Sequence, residues 1–474
     1  MSLNYNFIWL LCYLLVLVGL AGYGFHRLSI VYLYWKNRNN KPQPKARFQE
    51  LPVVTVQLPM FNEKFVVDRL LESVAALDYP QDKLEIQILD DSTDDTTEQC
   101  YRKVEELKSL GFDAVCIHRT DRTGFKAGAL EAATKVAKGE FLLILDADFV
   151  PEPDLLQKTI HFFTDENVGL VQTRWGHINR EYNLLTRIQG MYLDGHFAME
   201  QTARNRSGRF FTFNGTAGIW RKCVIGDAGG WSHDTLTEDM DLSYRVQLKG
   251  WRFIYLNDVV TPAELPVDMD GFKSQQHRWT KGSIQVCQKI LLDIWRSNAP
   301  LKAKVEATTH LTCNYSYLLL ALLCFLVYPI CTQRIPENET VFMWFVNVAL
   351  FFMTSVAVCI FYMSAQIVVR PKSWWKELPY LPLLLTLSVG MAVNNAKAVL
   401  EAIFGHQSAF VRTPKYGVDR KEDRRHVSQL KRNGYRAIKS VVIPVLEIAC
   451  GTFFLNLIII MIRQGHYLSP ILMI

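Results

Sequence analysis

Short apolar runs alternate with longer segments of helical spacing through the middle of the chain. Seven runs of four to six residues predict β-strands at 53–58, 85–89, 114–118, 141–145, 168–172, 210–213 and 251–256. Apolar residues at helical spacing predict helices at 63–77, 93–110, 128–137, 183–204 and 240–249. Because such alternation is typical of a largely parallel sheet with helices on both faces, the pattern predicts an α/β fold.

Both ends of the chain are more apolar than the middle. The N-terminal span is interrupted mainly by His26 and Arg27, and it lacks the basic start and small-residue cleavage site of a signal peptide. We therefore predict that it is a retained transmembrane helix. In all, four apolar spans are long enough to cross a bilayer as helices, at 7–34, 311–331, 341–369 and 441–462.

The segment 378–404 has a mixed character, because two prolines interrupt its apolar first part and Asn394, Asn395 and Glu401 lie in its second part. If this segment crossed the membrane, the stretch 412–439, with ten Lys and Arg against three Asp and Glu, would lie outside the cytosol. Basic stretches strongly prefer the cytosolic side. We therefore predict that the segment is an interfacial helix or re-enters on the cytosolic side, and that the last span ends outside.

The basic segment 36–47 places the end of the first helix in the cytosol by the same rule. The predicted protein is thus a multi-pass integral membrane protein of the plasma membrane or a Golgi-type membrane, with its α/β domain in the cytosol. Its predicted organisation is a transmembrane helix at 1–35, a basic linker at 36–50, the α/β domain at 51–300 and a membrane region at 301–474.

Composition excludes several classes of function. Hydrophobic residues make up 49% of the chain and charged residues 21%, so the chain is too apolar for one ordinary soluble domain. The net charge of +6 is clustered beside apolar spans, which indicates basic segments that set the membrane orientation or contact anionic lipid rather than bind nucleic acid. The ten cysteines contain no CxxC motif, so we expect free thiols and no zinc site.

Candidate chemistry begins at the end of the predicted strand 141–145. Asp146 and Asp148 follow it, and alternation along an extended chain points both carboxylates to the same side. In an open parallel sheet, ligands bind at the carboxyl ends of the strands. Paired carboxylates there suit a hard divalent cation such as Mg²⁺, which commonly also binds substrate phosphates. The alternative is a pair of solvated acids.

Other polar residues follow neighbouring strands. Asp90 and Asp91 end one strand, and Lys126 follows another, just before a helix that we expect to begin near Gly128. The backbone N–H groups at a helix N-terminus bind anions. Each residue alone is explained by a solvated loop, whereas together they indicate a nucleotide-diphosphate site with a metal.

Two further motifs lie later in the domain. Asp239, in Thr237-Glu238-Asp239, is a candidate general base, although a helix cap followed by favourable acids explains the same residues. Within Gln275-Gln276-His277-Arg278-Trp279, Arg278 is suited to neutralise a departing diphosphate and Trp279 to stack on a sugar ring. The alternative is a surface helix with one buried tryptophan.

In this order, the motifs DD, DAD, TED and QxxRW resemble those of family 2 glycosyltransferases of the GT-A (Rossmann-like) fold, specifically the membrane-embedded, processive, cellulose-synthase-like enzymes. Five longer stretches, VQLPMFNE, FKAGAL, FNGTAG, EDMDL and QQHRW, are similar to plant cellulose-synthase-like mannan and glucomannan synthases and to the related xyloglucan-backbone glucan synthases. The resemblance covers about residues 51–283.

The resemblance implies a role for each matching position. It makes Asp239 the catalytic base, beside Glu238, and Asp146 and Asp148 the ligands of Mg²⁺ or Mn²⁺. It assigns the nucleotide sugar to Asp90, Asp91, Glu63, Lys126, Asp146 and Arg278. It assigns the acceptor to Trp279, Gln275, Asn214 and Gly215. The stretch 408–416 resembles the family's gating loop through Phe410, Thr413 and Lys415. Arg412 stands where the family has Val, so this loop departs from the pattern.

The implied function is an inverting hexosyltransferase that uses UDP-glucose or GDP-mannose to extend a β-1,4-linked mannan, glucomannan or glucan and exports the product through the membrane. Partner subunits are left open. Two alternatives remain: a non-processive enzyme that adds one sugar to a membrane lipid, and a non-catalytic membrane scaffold or export channel.

Overall fold

A seven-stranded sheet forms the centre of the molecule. The structure is a computed structural model that describes residues 5–332, 349–350, 352–406, 412–419, 421–432 and 442–463. The strand order is β3-β2-β1-β4-β6-β5-β7. The strands are β1 Val54–Met60, β2 Leu84–Asp90, β3 Asp113–His118, β4 Phe141–Ile144, β5 Val168–His177, β6 Gly218–Arg221 and β7 Arg252–Ala263.

Six of these strands run parallel, and only β6 runs antiparallel to its neighbours β4 and β5. The carboxyl ends of the other six strands therefore lie at one edge of the sheet. Both faces are buried: along β4, Phe141 and Leu143 belong to one hydrophobic core, and Leu142 and Ile144 belong to the other. The predicted α/β fold is confirmed.

Helices cover both faces of the sheet and continue into the membrane region. In chain order they are α1 Tyr5–Asn37, α2 Val67–Ala75, α3 Thr96–Ser109, α4 Phe125–Val136, α5 Leu155–Thr159, α6 Leu184–Asp194, α7 Gln201–Arg206, α8 Lys222–Asp227, α9 Glu238–Leu248, α10 Met269–Arg296, α11 Leu301–Thr312, α12 Tyr315–Thr332, α13 Ala357–Val369, α14 Leu381–Gly390, α15 Ala392–Ile403, α16 Arg424–Arg432 and α17 Val442–Arg463.

The predicted strand at 210–213 is wrong. Phe211 and Phe213 are core residues, but their backbone N–H groups donate to the side chains of Gln247 and Ser243 rather than to a neighbouring strand. The strand lies later in the chain, at β6. The aromatic run correctly indicates burial. The strand prediction fails because side chains of α9, rather than a neighbouring strand, accept the backbone hydrogen bonds.

The predicted helix at 183–204 is interrupted. It begins as α6, capped by the Asn183 side chain, which accepts a hydrogen bond from the backbone of Thr186. The stretch Gly195–Glu200 is π-helical, and α7 then continues to Arg206. The predicted helix near Gly128 also starts earlier, at Phe125, because Gly124 adopts a left-handed conformation (φ 75°) that turns the chain into α4.

Several helices are long and apolar enough to span a membrane. In the described residues these are Ile8–Asn37, Phe352–Val369, Trp374–Ile403 and Ile443–Ile460. A bent pair, Leu301–Thr312 with Tyr315–Leu326 at 52°, would make a fifth span.

The predicted span at 311–331 is corrected at its start. Leu311 is fully buried in α11, where it packs with Ile290 of α10, and the apolar helix α12 begins only after the bend. The first part of the predicted span 341–369 lies outside the described residues, apart from 349–350.

The segment 378–404 is long and apolar enough to span a membrane, as part of Trp374–Ile403, but it is divided near Met391 into α14 and α15. Helix α15 packs Val399 and Ala402 against Ile284 of α10 in the α/β domain. Its interfacial placement stays a prediction.

Candidate active site

A cavity of about 260 Å³ opens at the carboxyl edge of the sheet. Segments that are far apart in the chain meet there: the ends of β1 and β4, the first turns of α4 and α9, one face of α10 and the segment 412–419. The predicted site residues that line it are Glu63, Asp91, Lys126, Asp146, Asp148, Asn214, Gly215, Glu238, Asp239, Gln275, Arg278, Trp279, Thr413 and Lys415.

The two carboxylates after β4 are each paired with a lysine from another part of the chain. Nζ of Lys126 lies 2.5 Å from Oδ1 of Asp146, and Nζ of Lys415 lies 2.6 Å from Oδ2 of Asp148. Asp148 is buried, whereas the Asp146 side chain is about a third exposed, toward the cavity. Two neighbouring carboxylates are thus held at the end of a buried strand, each beside the ammonium group of a lysine.

Asp239 lies in the first turn of α9 beside Gly215. A Cβ atom on Gly215 would lie 2.9 Å from Oδ2 of Asp239, so the absence of a side chain there leaves that carboxylate oxygen open to the cavity. Burial first, and then the charge of Glu238, raises the pKa of Asp239 to about 7, while Lys126 opposes the shift. A carboxyl with a pKa near 7 is well suited to act as a general base at neutral pH.

Lys126 connects the two halves of the site. Its Nζ donates to the Gly215 carbonyl oxygen at 2.8 Å as well as to Asp146. Burial lowers its pKa, but the charges of Asp146 and Glu238 outweigh burial and raise the pKa overall. The ammonium group therefore stays charged and is suited to contact a phosphate.

One face of α10 closes the cavity. Gln275, Arg278 and Trp279 are spaced at i, i+3 and i+4, which places them on the same side of a helix. Burial lowers the pKa of the Arg278 guanidinium, which nevertheless stays protonated at neutral pH. The Trp279 ring packs edge-on against Trp175 at the end of β5, with 6.1 Å between ring centroids, so its orientation is fixed by the core.

Asn214 is held by two glutamines in the loop before β6. Its side-chain oxygen accepts from Gln201 at 2.6 Å, and its backbone N–H donates to Gln172 at 3.1 Å. Its Nδ2 is buried and has no hydrogen-bond partner within the described residues. An unused donor at the cavity wall is suited to bind a sugar hydroxyl.

The two acids after β2 have different environments. Asp91 lines the cavity and forms a bidentate ion pair with Arg119, at 2.8 and 2.6 Å. Asp90 is fully buried and does not line the cavity: its carboxylate accepts from Thr97 and is hydrogen-bonded to His118 at 2.7 Å. The structure therefore places Asp90 under the site as a support for the loop, not at its surface.

The segment 412–419 covers one side of the cavity. Arg412 donates to the Asn62 carbonyl oxygen and lies 3.5 Å from the Glu63 carboxylate, so the arginine that departs from the family pattern has a defined partner. Burial raises the pKa of Glu63 to about 8, and Arg412 opposes the shift. Thr413 is buried nearby, whereas Phe410 lies outside the described residues.

Sequence reasoning missed Glu264, the residue that holds this segment in place. Glu264 follows β7 and is almost fully buried. Its two carboxylate oxygens accept from the backbone N–H groups of Tyr416 and Val418, at 2.8 and 3.1 Å. The same rule that singled out Asp146, an acid at the carboxyl end of a parallel strand, would have found it.

The donor set fits a divalent cation in part. Asp146 and Asp148 offer hard carboxylate oxygens, and the two lysines beside them show that this part of the cavity attracts positive charge. Within the described residues, no three His, Cys, Asp or Glu side chains are grouped as a complete metal site. A cation held here would therefore need further oxygen ligands from a substrate or from water.

Comparison with known proteins identifies relatives of the domain that carries this cavity. Residues 52–282 match the family model described as Glycosyltransferase like family 2. The chain is 42% identical over 286 residues to Glucomannan 4-beta-mannosyltransferase 2 of Arabidopsis thaliana, a match that covers 57% of this chain and 53% of that protein. It is 41% identical over 277 residues to Glucomannan 4-beta-mannosyltransferase 1 of Oryza sativa subsp. japonica, with the same coverage.

The chain spans about half the length of these curated relatives. A solved structure, mannosyltransferase PcManGT from Pyrobaculum calidifontis in complex with GDP-Man and Mn²⁺, matches with a TM-score of 0.58 at 20% identity, covering 83% of this chain and 100% of that one. At this identity the likeness is one of fold. The predicted GT-A fold, joined to apolar helices that could span a membrane, is confirmed.

Proposed function

We propose that this chain, whose residues 52–282 match the family model described as Glycosyltransferase like family 2, transfers mannosyl residues from GDP-mannose to the growing end of a β-1,4-linked polysaccharide. The observation that carries the proposal is the meeting of Asp146, Asp148, Asp239, Arg278 and Trp279 around one cavity. The mannosyltransferase names of two relatives above 40% identity favour mannose over glucose as the donor sugar.

In the proposed reaction, Asp239 takes the proton of an acceptor hydroxyl that enters beside Gly215. The freed oxygen attacks the anomeric carbon of the donor from the side opposite the diphosphate, so the C–O bond to the diphosphate breaks and the new linkage has the inverted, β configuration. Trp279 offers its ring to the acceptor sugar, and the unused Nδ2 of Asn214 donates to one of its hydroxyls.

Cationic side chains from several parts of the chain surround the proposed position of the leaving diphosphate. Lys126 of α4 and Arg278 of α10 both line the cavity and neutralise the developing negative charge. We propose that Asp146 and Asp148 hold Mg²⁺ or Mn²⁺, which would supply Lewis-acid stabilisation of the diphosphate. The rest of the cavity is left for the nucleoside and is lined by Asp91, Glu63 and the segment 412–419. Asp90, which is buried, supports the loop that carries Asp91.

We place this reaction at the cytosolic face of a membrane. The motivating observation is that α10, which carries the acceptor-side residues, packs directly on α15 of the membrane region. Lys281 of α10 is buried and lies 3.2 Å from Glu401 of α15. A product that leaves past Trp279 would thus meet the apolar helices, which supports export of the growing chain through them.

Sugar transfer in purified membranes tests the proposal. Labelled GDP-mannose and UDP-glucose are supplied separately with Mg²⁺ or Mn²⁺, and the product is sized and its linkage determined. We expect β-1,4-linked mannose from GDP-mannose. Asp239→Asn should lower kcat by about 10²–10⁴-fold, the usual loss for a general base, and Trp279→Ala should lower it as well. Near-normal activity in both variants would remove the mechanism.

The size of the product separates the alternatives. A long polymer supports a processive synthase, whereas one sugar on an extracted lipid would replace it with a lipid glycosyltransferase. Neither transfer nor hydrolysis of any nucleotide sugar would favour a non-catalytic scaffold or export channel.

A further inference from the structure

A second cavity, of about 430 Å³, lies away from the candidate active site. One wall is apolar and comes from the ends of two candidate membrane spans, Trp35 near the end of α1 and Val368 and Val369 at the end of α13. The other wall is polar and comes from the α/β domain, with Arg174 of β5 and Arg206 of α7 among its residues. The cavity therefore lies at the border between the proposed membrane helices and the cytosolic domain.

The polar wall carries an excess of positive charge. Four of the lining residues are basic, Arg38, Lys41, Arg174 and Arg206, and one is acidic, Asp258. The Asp258 carboxylate is paired with Lys41 at 2.7 Å. Within the described part of the chain, none of the three arginines forms a salt bridge with a carboxylate. Three guanidinium groups thus share a cavity that offers them no free anion.

Two buried polar atoms in the same wall have no hydrogen-bond partner among the described residues: Nε of Arg206, a donor, and Oδ1 of Asn257, an acceptor. Arg206 already donates through its other guanidinium nitrogen to the Arg38 carbonyl oxygen, and Arg174 donates to the Asn257 carbonyl oxygen at 2.9 Å. Arg174 and Arg206 are therefore held in position by backbone carbonyl groups, and Arg206 keeps an N–H donor that is not used. Unsatisfied buried polar groups are costly unless a ligand pairs with them.

We propose that this cavity binds the headgroup of an anionic membrane phospholipid, with the phosphate between Arg38, Arg174 and Arg206. The free acceptor of Asn257 favours a headgroup that carries a hydroxyl donor beside its phosphate. The acyl chains lie along Val368 and Val369, and Trp35, whose ring lies 5.0 Å from the Arg38 guanidinium, marks the interfacial level.

A free phosphate shares the headgroup's charge, but it would leave the apolar wall unpaired. A lipid satisfies both walls, because its chains continue into the bilayer where α1 and α13 enter it. Lipid binding here rests on the membrane placement in the proposed function, but not on the donor sugar or on the chemistry at Asp239. A chain that fails to transfer mannose can therefore still bind the lipid.

Native mass spectrometry on the full chain in nanodiscs tests the proposal. The bilayers contain phosphatidylcholine alone or phosphatidylcholine with phosphatidylglycerol. The cavity variant is Arg38→Gln with Arg206→Gln. The control variant is Lys36→Gln with Lys372→Gln, which removes the same charge from exposed positions beside the same two helix ends, outside the cavity.

We expect the unaltered chain and the control variant to retain one phosphatidylglycerol molecule tightly. Each lost charge-assisted hydrogen bond to the bound phosphate should weaken binding about tenfold, so the cavity variant should bind on the order of 100-fold more weakly. Arg38→Gln alone, at an exposed side chain that should not disturb folding, should bind about tenfold more weakly. Equal loss in the cavity and control variants, or no loss in either, would overturn the proposal.

A second experiment distinguishes binding of the lipid from binding of free phosphate. Inorganic phosphate is added to the chain in phosphatidylcholine nanodiscs, and thermal unfolding is measured. We expect no change in the unfolding temperature, because phosphate alone would pair with the polar wall and leave the apolar wall uncovered. If phosphate stabilises the unaltered chain but not the cavity variant, the ligand is a soluble anion and the lipid assignment is wrong.

Discussion

The protonation of Asp239 determines when the proposed reaction runs. Its pKa of about 7 means that the carboxyl carries a proton below neutral pH and cannot accept one from the acceptor hydroxyl. We predict that kcat/KM is level above pH 7 and falls about tenfold for each pH unit below it, since kcat/KM reports the free enzyme. A pH profile between 5 and 9 measures this. If kcat/KM stays constant down to pH 5, Asp239 is not the general base.

The raised pKa of Asp239 also predicts how Asp239→Asn changes the stability of the fold, which separates a loss of activity from a loss of structure. Above the ordinary aspartate pKa, the unfolded chain releases this proton while the folded chain holds it up to about pH 7, so burying the carboxylate at higher pH costs stability. Asp239→Asn removes that cost. We therefore expect this variant to lose activity while its thermal unfolding temperature at pH 8 rises or stays constant, which shows that lost activity is not lost structure.

Gly215 keeps the approach to Asp239 open. Gly215→Ala would place a methyl group 2.9 Å from Oδ2 of Asp239 in a backbone conformation with φ 78°. We predict about a 100-fold loss of kcat, the scale expected when reacting groups are displaced by about 1 Å. The matched control is Gly250→Ala, which has φ 93° and no atom within 4 Å of the added methyl.

Both glycine variants should lose about 1–2 kcal/mol of stability, the cost of a left-handed conformation with a side chain. Only Gly215→Ala should lose activity. Sugar-transfer rates and thermal melts measured side by side decide this, and equal rates in the two variants would contradict the role given to Gly215.

At the scale of elements, β7 anchors the segment 412–419 through Glu264. In Glu264→Gln, the amide NH₂ would face a backbone N–H group of Tyr416 or Val418, and leaving a buried donor unpaired costs about 1–3 kcal/mol. We predict roughly tenfold faster cleavage by trypsin after Arg412 and Lys415.

Glu140→Gln, at an exposed carboxylate paired with Arg221, serves as the comparison and should leave the cleavage rate unchanged. Cleavage at equal rates in both variants would show that the segment is held by other contacts, such as the ion pair between Lys415 and Asp148.

These elements also show what sequence can and cannot predict. The strand at 141–145 was predictable because both of its faces are buried, and its position placed Asp146 and Asp148 at the ligand edge. The spacing in Gln275-x-x-Arg278-Trp279 likewise placed these residues on one helix face. Long-range contacts were not predictable: nothing local shows that the Phe211 backbone pairs with a glutamine of α9, or that the His118 ring is hydrogen-bonded to Asp90.

At the scale of the whole molecule, the contacts of the C-terminal part argue for its side of the membrane. Lys415 and Val418 contact Asp148 and Glu264 of the α/β domain, so the segment 412–419 lies on the same side as the active-site cavity. Glu447, near the start of α17, lies 2.5 Å from Lys273 of α10. The last helix therefore begins beside the α/β domain.

We predict that α16, between these two contacts, is cytosolic. Gln429→Cys places a thiol on an exposed position of α16, and the natural Cys223, exposed on α8, reports the side of the α/β domain. In sealed vesicles of either orientation, a membrane-impermeant maleimide should label both thiols or neither, because the chain between them makes no net crossing. Labelling of one without the other would place the basic stretch 412–439 across the membrane from the active site and require 378–404 to be a full span.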